Sequence, residues 1–563
     1  MNANNATSTE TVKPTLAILQ LARIGDIIQT VQAIEHVRAL HPQYRIILIA
    51  RSQFAGPLQF LLKNYFDEVY SLDTQSMFLD HQIKGLNSPM YKLNAFLGSL
   101  KTETIDVLVN LTFSKTSAYL ASVIPSKYKI GAYFDLNNTM KIDDKWSQLL
   151  YSSVMRGPLN PFSLVDLFRN IIGSQPSTEF QKKVSLAGRE DYILVHPFAS
   201  TERKSWKPEK WVEVIYKTLK DNPSITVTIA GAKNESLKSQ LITENALLKQ
   251  FADRILNLTG KTTLEELWLI ASKAKLFVGH DSMVGHLASL SNTRTLTISL
   301  GNVRPHETTP YVEGAYNLSP RTKCAPCFPD QKCEFNQCHH DISYQLVGNI
   351  IKQLLTGAEV NEEWLSKTNS SFHLSSVNLY RSKFINGHLT LETPLSSHLD
   401  TVDVFRNIFM VAWSFNLSDT EMVLPFPKLS SLSQEQLQIA LVGVQNLYEL
   451  ADFGKKYSQY ILEEISSKTP NIGKIKEFSS KIDEIDHLQK VVLKTSGYLA
   501  PIVDYFTVRK GNLHGENIVN LTESSYYCYE EYVNVTSTIY ELISMTINEN
   551  RPQTKSKIQA SPK

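Results

Sequence analysis

A chain of 563 residues is too long for one hydrophobic core and calls for two or three domains. Its 42% hydrophobic and 20% charged residues are those of a globular protein, and a formal charge of +2 excludes the broad basic face of a nucleic-acid binder. The polar opening MNANNATSTETV lacks the basic and apolar regions of a secretory signal, and no apolar run reaches the roughly eighteen residues of a membrane span. The expectation is a cytoplasmic protein, at most peripheral to the inner membrane.

Residues 1–13 are expected to be a disordered N-terminus, and 14–180 a Rossmann-like domain. Within it Leu16–Gln20 reads as a strand that runs into Gly25 and Asp26, Ile27–Leu40 as a helix, and Arg45–Ala50 as the next strand. Val107–Asn110 is a further short strand, and Ser114–Val123 opens another helix. Such alternation predicts a parallel sheet with helices on both faces. The polar stretch Gly173–Lys183 reads as a linker.

The pattern restarts over residues 181–356. Tyr192–Val195 is a strand followed by the loop HPFASTERKSW, and Pro208 suits the first turn of the next helix. Strands are predicted at Thr226–Ala230, ending at Gly231, and at Ile255–Leu258. Thr262 or Thr263 can cap a helix that carries Glu265 and Glu266 in its first turn. Leu276–Gly279 and Thr295–Leu300 complete a second parallel sheet. Residues 357–549, with long segments such as Ser433–Phe453 and Lys474–Leu499, read as an all-helical extension without a chemical motif. The polar tail 550–563 is expected to be disordered.

Two loops carry most of the functional information. In LAILQLARIGD and LFVGHDSMVGH an apolar strand runs into a polar turn and then a helix. Open α/β sheets bind ligands at the carboxyl ends of their strands, where helix N-termini offer free N–H groups to anions. Two such loops in two halves predict a cleft enzyme that holds a substrate from each side. Separately, Cys324, Cys327, Cys333 and Cys338 fall within fifteen residues in a C-x₂-C-x₅-C-x₄-C pattern, followed by His339 and His340. That spacing is compatible with a structural zinc or iron site; plain thiols and disulfides are the alternatives, with disulfides disfavoured in a reducing compartment.

Four segments together resemble the bacterial heptosyltransferase family, glycosyltransferase family 9, over residues 14–355. LARIGDIIQTVQAI resembles its opening R-x-G-D motif, and NLTFSKTSAYLASVIPSKYKIGAY a helix and glycine turn late in its first domain. HPFASTERKSWKPEKW resembles its K-x-W-x-P loop, and NLTGKTTLEELWLIASKAKLFVGHDSMVGHLAS its D-[ST]-G-x-x-H-x-A stretch. One departure stands out: Met283 replaces the usual glycine.

The resemblance implies the GT-B architecture, two Rossmann-like domains facing a cleft. It makes Asp26 the general base that takes the proton from an acceptor hydroxyl; from the residues alone Asp26 reads equally as a helix cap. Lys204 becomes the cation on the donor diphosphate, with Ser200 and Thr201 adding hydroxyls. Asp281, Ser282, Met283 and His286 form the second donor-binding wall. Glu235 is a candidate ribose contact or a plain helix-start glutamate, and Arg23 an acceptor contact or a solvated side chain. Similar cysteines recur in the family, and a branch that glycosylates autotransporter proteins holds iron with them.

The activity implied is inverting transfer of a heptose from ADP-heptose, with no cofactor for the chemistry, to the lipopolysaccharide core. A protein acceptor is the rival. A non-catalytic scaffold that kept the fold is the alternative of another class.

Overall fold

Apolar runs bury themselves at the centre of each sheet. In the computed structural model, which describes residues 13–101, 103–153, 159–174, 176–179, 181–328, 331, 333–395, 400–425 and 427–550, all six residues of β1 (Thr15–Gln20) are buried. β1 lies inside a six-stranded sheet with β2 (Arg45–Arg51), β3 (Glu68–Leu72), β4 (Val107–Asn110), β5 (Tyr128–Phe134) and β6 (Met140–Ile142), in the order β3-β2-β1-β4-β5-β6. All neighbours are parallel except β5 and β6. A parallel sheet covered on both faces has no solvated side, so β1 and β2 are continuous apolar runs without alternation.

The second sheet has eight strands: β7 (Glu190–His196), β8 (Thr226–Ile229), β9 (Ile255–Asn257), β10 (Ala274–His280), β11 (Thr295–Ile298), β12 (Tyr316–Pro320), β13 (Val377–Ile385) and β14 (His388–Glu392). Their order is β14-β13-β12-β11-β10-β7-β8-β9, parallel from β9 to β12 and antiparallel through β13 and β14. In both sheets the winding reverses beside the first strand, between β1 and β4 and between β7 and β10. Connections on the two sides of a reversal diverge and leave a crevice at the strands' carboxyl ends. The loops after β1, β7 and β10 open there.

The helix Ile24–Leu40 joins the two halves. It packs against the helices Leu164–Ile172 and Met283–Leu290 and buries ten of its residues. Gln32 Nε2 donates to Ser289 Oγ at 3.0 Å, and Lys182 pairs with Glu35 at 2.6 Å. Further out, the Phe60 ring meets Trp268 with centroids 5.7 Å apart.

Two sequence expectations are corrected. The all-helical region does not begin at 357, because residues 377–392 form a hairpin that extends the second sheet. Its turn is Asn386-Gly387, both with positive φ (+48° and +79°), the conformation that a two-residue hairpin turn requires. Nor is 14–180 one continuous domain. The chain forms two compact units, Met1–Gln148 with Phe162–Pro394, and Leu149–Pro161 with Leu395–Lys563. The expected disordered termini lie outside the described residues, save Lys13 and Asn550.

The second unit is helical: Thr401–Ser418, Ser431–Ile465, Ile472–Thr495, Ala500–Gly511 and Ile518–Glu549. Its two longest helices run antiparallel, with Lys455 paired to Glu530 at 2.8 Å and Ser458 bonded to Ser525 at 3.1 Å. Gly454 admits the Tyr529 ring, which a Cβ would strike at 2.3 Å. Among the described residues no helix is long and apolar enough to cross a membrane.

A buried ionic network ties the hairpin to the first unit's core. Asp166 and Arg169 are both fully buried and 3.1 Å apart. Asp166 accepts from Tyr311 Oη at 2.7 Å and from the Leu389 amide at 2.9 Å, while Arg169 donates to the Gly387 carbonyl at 2.7 Å. Removing one partner of such a pair leaves the other charge buried alone. Asp166→Ala is therefore expected to cost about 3–5 kcal/mol, read as an earlier urea midpoint; an unmoved midpoint would show that the network carries no stability.

Candidate active site

Asp26 is set by the way its helix starts. The strand β1 ends at Gln20, and the helix begins at Ile24, three residues earlier than the sequence suggests, so Asp26 lies in its first turn and not before it. Arg23 is the N-cap, and its amide donates to Asp26 Oδ2 at 2.9 Å, closing a capping box. Capping and a site at the strand end are thus the same geometry. Asp26 is half-buried, and burial raises its carboxyl above the ordinary value, partly offset by the Arg23 amide, His286 and the Arg23 guanidinium. Arg51, at the end of β2, is a second cation near both Arg23 and Asp26.

The second half reaches the same place from the opposite side. Arg23 Nη1 lies 3.4 Å from Ser200 Oγ, in the loop after β7. A Cβ added at Gly25 would stand 3.6 Å from the His286 ring. The His286 imidazole feels both Asp26 and Asp281, although burial, the largest influence, lowers its pKa. Asp281 Oδ2 is 3.3 Å from Lys204 Nζ, both side chains being mostly buried. One line of polar and charged groups therefore runs from Asp26 through His286 to Asp281 and Lys204.

The remaining predicted residues divide. Ser282 caps the helix Met283–Leu290 by position but makes no side-chain cap bond, and its buried Oγ has no partner in the structure. His286 Nδ1 is likewise buried without a partner. Thr201 is exposed and opens the turn Glu202–Lys204. Met283 packs against the cluster of Leu194, Phe277 and Val284, so the residue that replaces the family glycine is partly taken up by packing. Glu235 accepts from the Ala232 amide at 2.6 Å, the helix-start role, and burial raises its carboxyl.

The cysteine segment departs from expectation. All four thiols are free, with Cys324 and Cys333 exposed, Cys327 half-buried and Cys338 buried. They are neighbours, since each of Cys327 and Cys338 is influenced by the other exposed thiols, but burial dominates and raises both pKa values. Cys333 Sγ accepts from the Asn336 amide at 3.3 Å. Among the described residues no group of three or more His, Cys, Asp or Glu is arranged to hold a metal ion. The expected zinc or iron site is therefore not supported. What the segment does touch is the lysine loop: His339 Nε2 donates to the Arg203 carbonyl at 2.9 Å, and Arg203 donates to the carbonyls of Phe328 and Gln331.

Residues 94–338 match the family described as glycosyltransferase family 9 (heptosyltransferase), a range that holds Lys204 and the turn 281–286 in one half and part of the other. Over that range the chain is similar to this family. The likeness supports a glycosyltransferase, and Asp26 precedes the matched range. The chain is 24% identical over 311 residues to the lipopolysaccharide core heptosyltransferase OpsX of Haemophilus influenzae, covering 53% of this chain and 81% of that one. It is 24% identical over 296 residues to lipopolysaccharide heptosyltransferase 1 of Campylobacter coli, covering 50% and 83%. Among solved structures, the family 9 glycosyltransferase of Veillonella parvula aligns with a TM-score of 0.47 at 16% identity, over 62% of this chain and 99% of that one.

Sequence reasoning missed residues that hold this transferase's lysine loop in place. Gly301 has φ +63°, and a Cβ there would meet the Arg203 carbonyl oxygen at 2.8 Å. Its signal, a glycine just after a strand end in SLGNV, is weak alone. Gly301→Ala must strain the backbone or push residue 203 away, a cost of about 1–3 kcal/mol. The expected result is a lower unfolding temperature together with reduced transfer; full activity would mean that the loop tolerates displacement.

Proposed function

We propose that this glycosyltransferase moves a heptose from ADP-heptose to a hydroxyl of the lipopolysaccharide core, with inversion at the anomeric carbon. The observation that carries the reading is the approach of the two halves: Arg23 to Ser200 at 3.4 Å and Gly25 to His286 bring the acid of the first half to the lysine and helix N-terminus of the second. The names of the curated relatives favour heptose and lipopolysaccharide core over other sugars and acceptors.

In this reading Asp26 is the general base. The acceptor hydroxyl attacks the anomeric carbon, its proton passes to the Asp26 carboxylate, and the bond from the sugar to the diphosphate breaks. A carboxylate whose pKa is raised is, once ionised, a stronger base than an ordinary one. Lys204 meets the negative charge that grows on the leaving diphosphate. Asp281 holds the Lys204 ammonium until the donor enters. The amides of residues 282–284 and the Ser282 hydroxyl, at the helix start, supply further donors to phosphate oxygens. Ser200 and Thr201 flank the same loop, Glu235 faces the ribose, and Arg23 with Arg51 offers positive charge to an anionic acceptor.

Asp26→Asn keeps the shape and a cap acceptor but removes the base. The predicted outcome is loss of transfer with ADP binding nearly intact, by calorimetry. A second consequence concerns stability. Because the folded state raises the Asp26 pKa, the folded protein binds the proton more tightly than the unfolded chain, and stability falls as pH rises through that window. Above that window the ionised carboxylate is a net cost, so there Asp26→Asn should unfold no earlier than the parent. Normal turnover by the variant would remove Asp26 from the chemistry.

The acidic limb of kcat/KM should likewise fall above the ordinary aspartate range, with activity lost as pH drops through it. A limb at the unperturbed value of about 3.9 would contradict the assignment. Incubation with ADP-heptose and core acceptor, followed by mass spectrometry, tests the substrates; a glycosylated polypeptide with unmodified core would replace the acceptor assigned here.

A further inference from the structure

His280 is the last residue of β10 and is completely buried, one position before Asp281. Its Nδ1 lies 3.1 Å from the Ile298 carbonyl oxygen. A carbonyl can only accept, so Nδ1 carries the proton and Nε2 presents a lone pair. That lone pair accepts from the Trp206 amide at 2.9 Å and from Trp211 Nε1 at 3.2 Å. Both indole rings stand edge-on to the imidazole, at 5.7 and 5.2 Å between centroids. Two consecutive residues of β10 and its turn thus hold two nearby residues of the lysine loop: His280 takes the Trp206 amide, and Asp281 takes the Lys204 ammonium. On the far side of the loop, His339 holds the Arg203 carbonyl.

We infer that His280 is a positioning residue for glycosyl transfer, anchoring the Trp206 amide so that Lys204 is held where the leaving diphosphate gains charge. The inference rests on the reading of Lys204 as the diphosphate's cation. A lysine ammonium on a four-carbon stem has many rotamers, and fixing the backbone on both sides of it removes part of the freedom that would blur its position. Nε2 must stay unprotonated to accept, and burial holds the imidazole's pKa down to about 3, so the anchor persists through the physiological range.

A double-mutant cycle in the full-length protein tests this, with ADP-heptose turnover and ADP binding as readouts. Lys204→Ala should lose about 10²–10³-fold in kcat. His280→Leu should lose about tenfold or more in kcat/KM in the native background. On the Lys204→Ala background the same change should cost less than about twofold, because its effect passes through the lysine. His280→Gln retains an acceptor and should recover most of the loss, and it decides the matter in the same cycle if the leucine variant fails to fold. Equal losses in both backgrounds would overturn the inference and make His280 a packing residue only. If Lys204→Ala were itself fully active, the cation assignment would fall first and the anchor with it.

Discussion

The hydrogen bond from the Arg23 amide to the Asp26 carboxylate is the contact on which the first half of the site depends. It closes the first turn of a helix whose other face is packed against the helices Leu164–Ile172 and Met283–Leu290, so the acid cannot shift without disturbing buried residues from Ile27 to Val37. A carboxylate in a first helical turn gains roughly 0.3–1 kcal/mol from the helix dipole. Burial acts in the opposite direction and is the larger influence, leaving an acid whose proton affinity is raised. The same bond therefore caps a helix, aims a side chain and tunes its basicity.

The second half solves a different problem. On the reading proposed for Lys204, the diphosphate's cation sits on a loop, and loops position side chains poorly. Here the loop is short-circuited to rigid elements at several points. Its neighbours along the chain bond to a strand-end histidine and, through His339, to the helix Gln337–Asp341, and Arg203 lies close against a glycine turn after β11. The carboxylate of Asp281 keeps the ammonium desolvated only in part, since both side chains retain some exposure. Exchange of that carboxylate for phosphate oxygens then costs less than stripping a fully hydrated lysine.

Much of this was readable from residue order. Continuous apolar runs flanked by helix signals gave the parallel strands of both halves, and the turns after β1 and β10 marked the crevice. The helix start at Ile24 was misplaced because an arginine cap has no side-chain signature, and the bond that matters is made by its backbone. The hairpin at 377–392 was overlooked although VNLYRSKFINGHLTLE alternates and carries Asn-Gly, the strongest short-range hairpin signal. It followed the sheet's last parallel strand by more than fifty residues, and sequence spacing hid that it returns to the same sheet. The cysteines had metal-like spacing but unequal burial, which spacing cannot report.

The α/β unit is interrupted: the chain departs from it after Gln148 and resumes at Phe162, and the thirteen residues between belong with helices that begin after Leu395. Synthesis delivers that insert more than two hundred residues ahead of its companions. While the ribosome is still translating, Leu149, Leu150 and Leu159, buried in the finished protein, precede the rest of their unit. A chain stopped at Pro394 would keep every strand of both sheets and only the short first piece of the second unit. The second unit is thus assembled from two stretches of chain that lie far apart in sequence.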